Sequence, residues 1–224
     1  MKRVTIFSGH YGSGKTNIAV NYALKLAAEG KKTSLADLDI VNPYFRSKDS
    51  EKILSDAGIR FISSEYANSN VDVPALPAEA YAITDDKSSY SVVDVGGDDR
   101  GALALGRYVP AILAENNYEM LFVVNAYRPL THNVQSAYEV MKEIRTAAGI
   151  DFTGIINNSN IGDETTAKDV LATVGYAEEL SRLSGIPVKM TCVHHNLYDE
   201  IARTQKITDL FPIKLYIRQS WKSE

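Results

Sequence analysis

Val4-Thr5-Ile6-Phe7-Ser8-Gly9-His10-Tyr11-Gly12-Ser13-Gly14-Lys15-Thr16 sets a short apolar run, a glycine-rich turn and a Lys-Thr pair in immediate succession. Residues 9–16 fit G-x-x-x-x-G-K-[ST] in full. Val4 to Ser8 reads as a strand. Thr16 to Ala28 reads as a helix, with Ile18, Ala19, Tyr22, Ala23, Leu26 and Ala27 on one stripe and Gly30 where the helix would stop. A strand, a glycine loop and a helix in this order make an anion site. Backbone N–H groups of Gly9, His10, Tyr11, Gly12, Ser13 and Gly14 turn towards phosphate, and the helix start adds its positive dipole end. Lys15 then reaches the β/γ oxygens and Thr16 ligates Mg²⁺. A plain glycine-rich turn is the competing reading, and the flanking strand and helix weigh against it.

Outward from this stretch, short β-type runs alternate with helix-length periodic segments, the pattern of a parallel sheet wound with crossover helices. Further strands are expected at Thr33 to Ala36, Arg60 to Ser63, Ser91 to Val95, Leu121 to Val124, Gly154 to Asn157 and Val188 to Cys192. Further helices are expected at Thr131 to Ala148, ended by Gly149, and from a capping box at Thr166 and Asp169 through Leu171, Val174 and Leu180 to Gly185. The expected fold is therefore α/β: a mainly parallel sheet with helices on both faces, in three layers. With no long polar linker or repeat, residues 1–224 read as a single nucleotide-binding domain. Ser64 to Pro77, with Asn68, Asn70, Pro74 and Pro77, is the one irregular stretch, read as a loop over a sheet edge and a switch or partner region.

The 224 residues, 45% apolar and 23% charged, can bury a core without disulfides or metal. A formal charge of -4, from 24 Lys+Arg against 28 Asp+Glu, argues against coating nucleic acid by bulk electrostatics. One cysteine, Cys192, excludes an internal disulfide framework and any cysteine-rich cluster built from one chain; it reads as buried packing. No apolar run approaches the about 18 residues of a spanning helix, so the expected setting is the cytoplasm. From Phe211 the apolar spacing is nearer 2 than 3.6, which favours an extended segment packed on the domain or a partner over a membrane-binding helix.

Hydrolysis needs a carboxylate near Mg²⁺ and a group to orient the attacking water. Ser91-Val92-Val93-Asp94 ends a β-rich run in an acid, so Asp94 emerges at the carboxyl edge of a strand beside the phosphate loop, and Gly96 and Gly97 leave room for backbone to approach a γ-phosphate. Asp37-Leu38-Asp39 ends the second strand with two carboxylates on one side of the chain. Asp37 is the candidate for the Mg²⁺ water shell and Asp39 for positioning water. For each, the competing reading is a solvated strand end.

These residues carry a resemblance. The chain is similar, over nearly its whole length, to the single-domain ATPases of the MinD/ParA/nitrogenase iron protein class. The carriers are residues 9–16, Asp37-Leu38-Asp39-Ile40-Val41-Asn42-Pro43, the Asp94 strand, Asn125 to Pro129, and Ile155-Ile156-Asn157-Asn158. The resemblance implies ATP and Mg²⁺ as ligands, an asparagine that reads adenine, for which Asn157 is the candidate, and a loop round the base at His194, His195 and Asn196. There is no N-K-x-D, which leans to ATP over GTP. One departure concerns the partner: the class carries a lysine after the first glycine that reaches into a second copy, and His10 stands there. Histidine is shorter and does not supply a permanent positive charge on a long stem, so the resemblance leaves a homodimer as one option without the cross-subunit lysine.

Arg100 and Arg107 follow the glycine pair and are read first as surface residues, second as arginine fingers. The leading functional expectation is a Mg-ATP-hydrolysing switch, with Lys15 and Asp39 as its catalytic residues and an unknown protein partner reading the state of the loops. The alternatives are an ATP-dependent biosynthetic enzyme of the dethiobiotin synthetase type, marked by a second substrate pocket, and a non-hydrolysing nucleotide-binding module, marked by ATP that survives incubation.

Overall fold

Along most strands of the chain, successive apolar residues feed two different cores, which is what a sheet covered on both faces requires. The computed structural model describes residues 1–39, 48–63, 81–97 and 99–216. Within them run β1 (Val4–Ser8), α1 (Lys15–Ala28), β2 (Thr33–Asp37), α2 (Lys48–Asp56), β3 (Arg60–Ser63), α3 (Ala82–Asp85), β4 (Tyr90–Asp94), α4 (Asp99–Gly106), α5 (Val109–Glu115) and β5 (Tyr118–Val124). There follow α6 (Val134–Ala148), β6 (Gly154–Asn157), α7 (Ala167–Ala172), α8 (Val174–Ser184), β7 (Val188–His194), α9 (Tyr198–Ala202) and β8 (Leu210–Ile213). The eight described strands form one sheet in the order β3-β2-β4-β1-β5-β6-β7-β8, and every pairing is parallel.

Phe7, Leu35, Val92, Leu121, Val123 and Ile156 face α1, packing with Ile18, Ala19, Tyr22, Ala23 and Leu26. Their neighbours Ile6, Ala36, Val93, Phe122 and Ile155 face the opposite layer of α4, α5, α6 and α8. Each fully buried side chain of this size is worth roughly 1.5–3 kcal/mol relative to exposure. Phe122 also meets Phe152 edge to face, with ring centroids 5.3 Å apart. At the amino end of the sheet, buried Arg3 pairs with Glu115 and donates to the carbonyls of Ile83 and Ser89 at 3.1 and 3.3 Å, which closes that edge. The carboxyl edge carries the phosphate loop.

The expected three-layer α/β fold is the observed one, with local differences. The helix expected from Thr131 starts at Val134, because Asn133 caps it by accepting from Ser136 N at 2.9 Å and a 3₁₀ turn occupies Pro129–Thr131. The capping box at Thr166 and Asp169 is present, yet the helix it opens is cut in two at Thr173. There the hydroxyl donates back to Val170 O at 2.8 Å and accepts from Asn157 Nδ2 at 3.1 Å. The extended character expected from Phe211 is realised as β8, which pairs with β7. Beyond it, Lys214 N donates to Asn21 Oδ1 at 2.9 Å and Tyr216 N to Asn17 Oδ1 at 3.0 Å, strapping the chain to α1. The helices α2, α3, α4, α5 and α9 were not among those expected. The Ser64 to Pro77 stretch, Ile40 to Pro43, the Arg100 side chain and the last eight residues lie outside the described part. No helix among the described residues is long and apolar enough to cross a membrane.

Candidate functional site

The site is assembled where β1, β2 and β4 end. The loop leaves β1 at Ser8 and enters α1 through Gly14, whose φ of 88° is left-handed and whose absent Cβ would lie 2.3 Å from Asn158 Nδ2. Only glycine fits that position. Three loop carbonyls are held by donors, two of them from outside the loop. His10 O accepts from Ser13 N and from Lys15 Nζ, both at 3.2 Å, Gly12 O from Arg128 Nε at 3.0 Å, and Ser13 O from Asn158 Nδ2 at 2.7 Å. Holding these carbonyls fixes the path of the loop backbone, and with it the directions of the N–H groups that an anion-binding concavity needs.

Asp94 ends β4 and is buried beside the start of α1. Burial pushes its carboxyl up to about 6, against the opposing pull of the Lys15 ammonium and a hydrogen bond with Thr16, while nearby Asp39 adds a smaller upward push. Its Oδ1 has no hydrogen-bond partner. The other buried side-chain polar atoms without one, among the described residues, are Ser8 Oγ and Ser13 Oγ, at the end of β1 and within the phosphate loop. Buried polar atoms are ordinarily paired, so three orphans gathered round one loop mark a place built for a polar ligand. Asp37 is paired in register with Asp94 across β2 and β4, is buried, and accepts from Asp39 N at 2.9 Å. Asp39 reaches the loop after β4, where a Cβ on Gly96 would stand 3.3 Å from its carboxylate. Gly97 presses on the phosphate loop itself: a Cβ there would lie 2.4 Å from Tyr11 N.

Lys15, Thr16, Asp37, Asp39 and Asp94 are thus brought to one place, as their sequence reading required. Among the described residues no group of three or more His, Cys, Asp or Glu side chains is arranged to hold a metal ion. A hydroxyl, an orphaned carboxylate oxygen and phosphate oxygens suit Mg²⁺, which keeps several waters and is held by one or two carboxylates.

Asn157 requires a correction. It is fully buried, its Nδ2 donates to Thr173 and its Oδ1 accepts from Ser159 N and Oγ, at 3.2 and 2.6 Å, so no polar atom is left for a base. Its neighbour Asn158 is the asparagine that touches the phosphate loop. His194, His195 and Asn196 lie together at the end of β7, with a His194–Asn196 hydrogen bond and the two rings 4.5 Å apart. His10 is partly exposed, its Nδ1 3.0 Å from Tyr11 O. Arg107 is exposed on the surface after α4. Arg128 lies in the Asn125 to Pro129 segment that carries the resemblance but was given no role, since nothing local to its sequence marks a residue whose partner is a backbone carbonyl in the first loop.

The comparisons agree with this geometry. A model of the CobQ/CobB/MinD/ParA nucleotide binding domain matches residues 4–184. Over 96 residues the chain is 28% identical to the cytosolic Fe-S cluster assembly factor cfd1 of Emericella nidulans, a stretch that is 43% of this chain and 27% of that protein. Among solved structures, cell division protein ftsY of Thermotoga maritima matches with a TM-score of 0.59 at 24% identity, over 85% of this chain and 61% of that one. Chloroplast FtsY of Physcomitrella patens gives 0.59 at 20%, over 85% and 58%. The signal recognition particle 54 kDa protein of Aeropyrum pernix K1, in complex with GDP, gives 0.52 at 16%, over 84% and 40%. These structures share the fold, and the chain spans less than two thirds of the length of each of these relatives.

Proposed function

We propose that this chain, which belongs to the CobQ/CobB/MinD/ParA nucleotide binding domain family, is a single-domain Mg-ATP-dependent switch that hydrolyses ATP. The observation that carries the reading is Asp94: a buried carboxylate at the end of β4, tied to Thr16, with Oδ1 unpartnered beside the phosphate loop. Gly9 to Thr16 hold the triphosphate through backbone N–H groups, and Lys15 neutralises the outer phosphates. Thr16 and Asp94 would hold Mg²⁺, with Asp37 on its water shell, and the chemistry it would supply is neutralisation of phosphate charge. Asp39, next to Gly96, orients water on the far side of the γ-phosphate.

ATP is preferred over GTP because Asn158-Ser159-Asn160-Ile161 places an isoleucine where guanine readers of the N-K-x-D type have an aspartate to accept from the base N1–H and amino groups. Asn158 takes the base-side role, with His194, His195 and Asn196 as a rim. The switch acts in the cytosol and signals through the loops that follow Asp37 and Asp94. Cluster assembly, the role in the name of the Emericella nidulans protein, is not part of the reading, since this chain's single cysteine is buried.

The test is turnover of ATP and of GTP by the purified protein with Mg²⁺ at several protein concentrations. ATP turnover is expected to exceed GTP turnover, and Asp39→Ala should retain bound ATP while turnover falls at least a hundred-fold. Wild-type turnover in Asp39→Ala would refute the water-positioning role, and tight ATP binding with no turnover at any concentration would refute the hydrolysing switch. Turnover per chain that rises with concentration would make the second copy of the chain the partner.

A further inference from the structure

The hydrogen-bonded carbonyls of the phosphate loop point to one residue to which neither the motif nor the family reading gives a role. His10 O is held by Ser13 N and Lys15 Nζ, and Ser13 O by Asn158. Gly12 O, between them, is held by Arg128 Nε at 3.0 Å, from 116 residues away in sequence. The Gly12–Ser13 peptide is therefore fixed at both ends, its oxygen by Arg128 and its N–H by His10 O. Gly12 sits at a φ of 76°, where no β-carbon biases the peptide and a flip is otherwise cheap.

The segment that presents Arg128 is rigid. Arg128 N donates to Asn125 O at 3.1 Å and Thr131 N to Arg128 O at 3.0 Å. Buried Thr131 donates its hydroxyl to Asn125 O at 2.7 Å, and Tyr176 OH closes on Thr131 O at 2.6 Å. Tyr127 N is held by Asn125 Oδ1 at 2.9 Å, and Tyr127 OH reaches Asp169 O at 2.8 Å. A loop pinned at this many points delivers its guanidinium to a fixed position. The guanidinium is not there to form an ion pair. Arg3 and Arg145 have carboxylate partners, whereas no ion pair among the described residues involves Arg128.

Resting on the nucleotide-binding reading above, we propose that Arg128 is a positioning residue for the phosphate loop: through Nε it holds the Gly12 carbonyl, fixes the Gly12–Ser13 peptide against His10 O, and so sets the backbone path that presents the remaining loop N–H groups to a nucleotide polyphosphate. A hydrogen bond from a charged donor contributes enough that its loss shifts affinity about ten-fold or more.

Side-chain topology supplies the test. The Nε2 of glutamine stands at the same bond count from Cα as the Nε of arginine, so Arg128→Gln restores the hydrogen bond without the charge. Arg128→Lys keeps the charge and puts a methylene at that atom. Dissociation constants for Mg-ATP should rise at least ten-fold in Arg128→Ala and Arg128→Lys and return to within about three-fold of the parent in Arg128→Gln, with melting temperatures of the nucleotide-free proteins unchanged. In the nucleotide-free proteins, amide exchange at Ser13, whose N–H donates to His10 O, should accelerate in the Ala and Lys variants and not in Gln. Affinity in Arg128→Ala within two-fold of the parent, or rescue by Lys and not by Gln, would overturn the proposal. A parent protein that binds no nucleotide would refute the reading it rests on, and the Ser13 exchange series would then decide Arg128 alone.

Discussion

Replacing Asp94 by asparagine should make the nucleotide-free protein more stable while removing its Mg²⁺-dependent function. The Asp94 carboxyl lies at about 6 against an ordinary 3.8, with burial the dominant cause. A displacement of about two units corresponds to roughly 3 kcal/mol between the two protonation states. The sign follows from proton counts. Between pH 3.8 and 6 the folded chain holds a proton at Asp94 that the unfolded chain has lost, so this group's contribution is complete below 3.8 and disappears as pH rises through 6. At pH 8 the buried carboxylate is charged, and asparagine of the same shape removes that cost. The pull of Lys15 already enters the position of the titration and needs no separate term. Urea denaturation at pH 8 without Mg²⁺ or nucleotide should therefore show Asp94→Asn more stable by about 1–3 kcal/mol, or roughly 2–10 °C in melting temperature for a domain of this size. At pH 4 the gap should close. With Mg-ATP the order should reverse, because only the parent gains ligand-linked stability. Asp94→Asn less stable than the parent at pH 8, or an advantage equally large at pH 4, would refute the argument that burial of this charge outweighs the pull of Lys15 and Thr16.

Gly97→Ala would place a methyl group 2.4 Å from Tyr11 N and 2.9 Å from the His10 carbonyl carbon, both backbone atoms. Either the loop after β4 or the phosphate loop must shift, and nucleotide titration should show affinity reduced at least ten-fold; parent-like affinity would mean the two loops are not in contact in solution. Cys192 is buried and burial drives its thiol well above the usual range, so a thiol reagent should label it only in denaturant, and rapid labelling of the native protein would contradict its place in the core.

Much of the fold was legible because a sheet covered on both faces writes its strands as short apolar runs between periodic segments, and β1, β3 and β6 fall where those runs fall. What escaped was decided at a distance. Leu210-Phe211-Pro212-Ile213 contains a proline, which argues against a central strand, yet β8 is an edge strand and Pro212 is exposed there. The break between α7 and α8 depends on the Thr173 hydroxyl meeting Asn157, a contact between elements that periodicity does not encode. Arg128 is silent for the same reason.

The misassigned asparagine shows what one further piece of information would have supplied. Phe7, Leu35, Val92 and Ile156 all belong to the core under α1. In a strand, residues two apart share a face, so Asp37 follows Leu35, Asp94 follows Val92, and Asn158 follows Ile156 towards the helix that starts at Lys15. Asn157 shares the face of Ile155, which packs in the opposite core with α6 and α8, and there it meets Thr173. The candidate carboxylates that end β2 and β4 and the amide of Asn158 are thus fixed by strand parity once the face of α1 is known. The aspartates could be placed without it because Asp37 and Asp39, two apart, share a side of the chain, and the other strand run ends in Asp94. Ile155-Ile156-Asn157-Asn158 offered two asparagines on opposite faces, and only the packing of α1 on the Ile156 side decides between them.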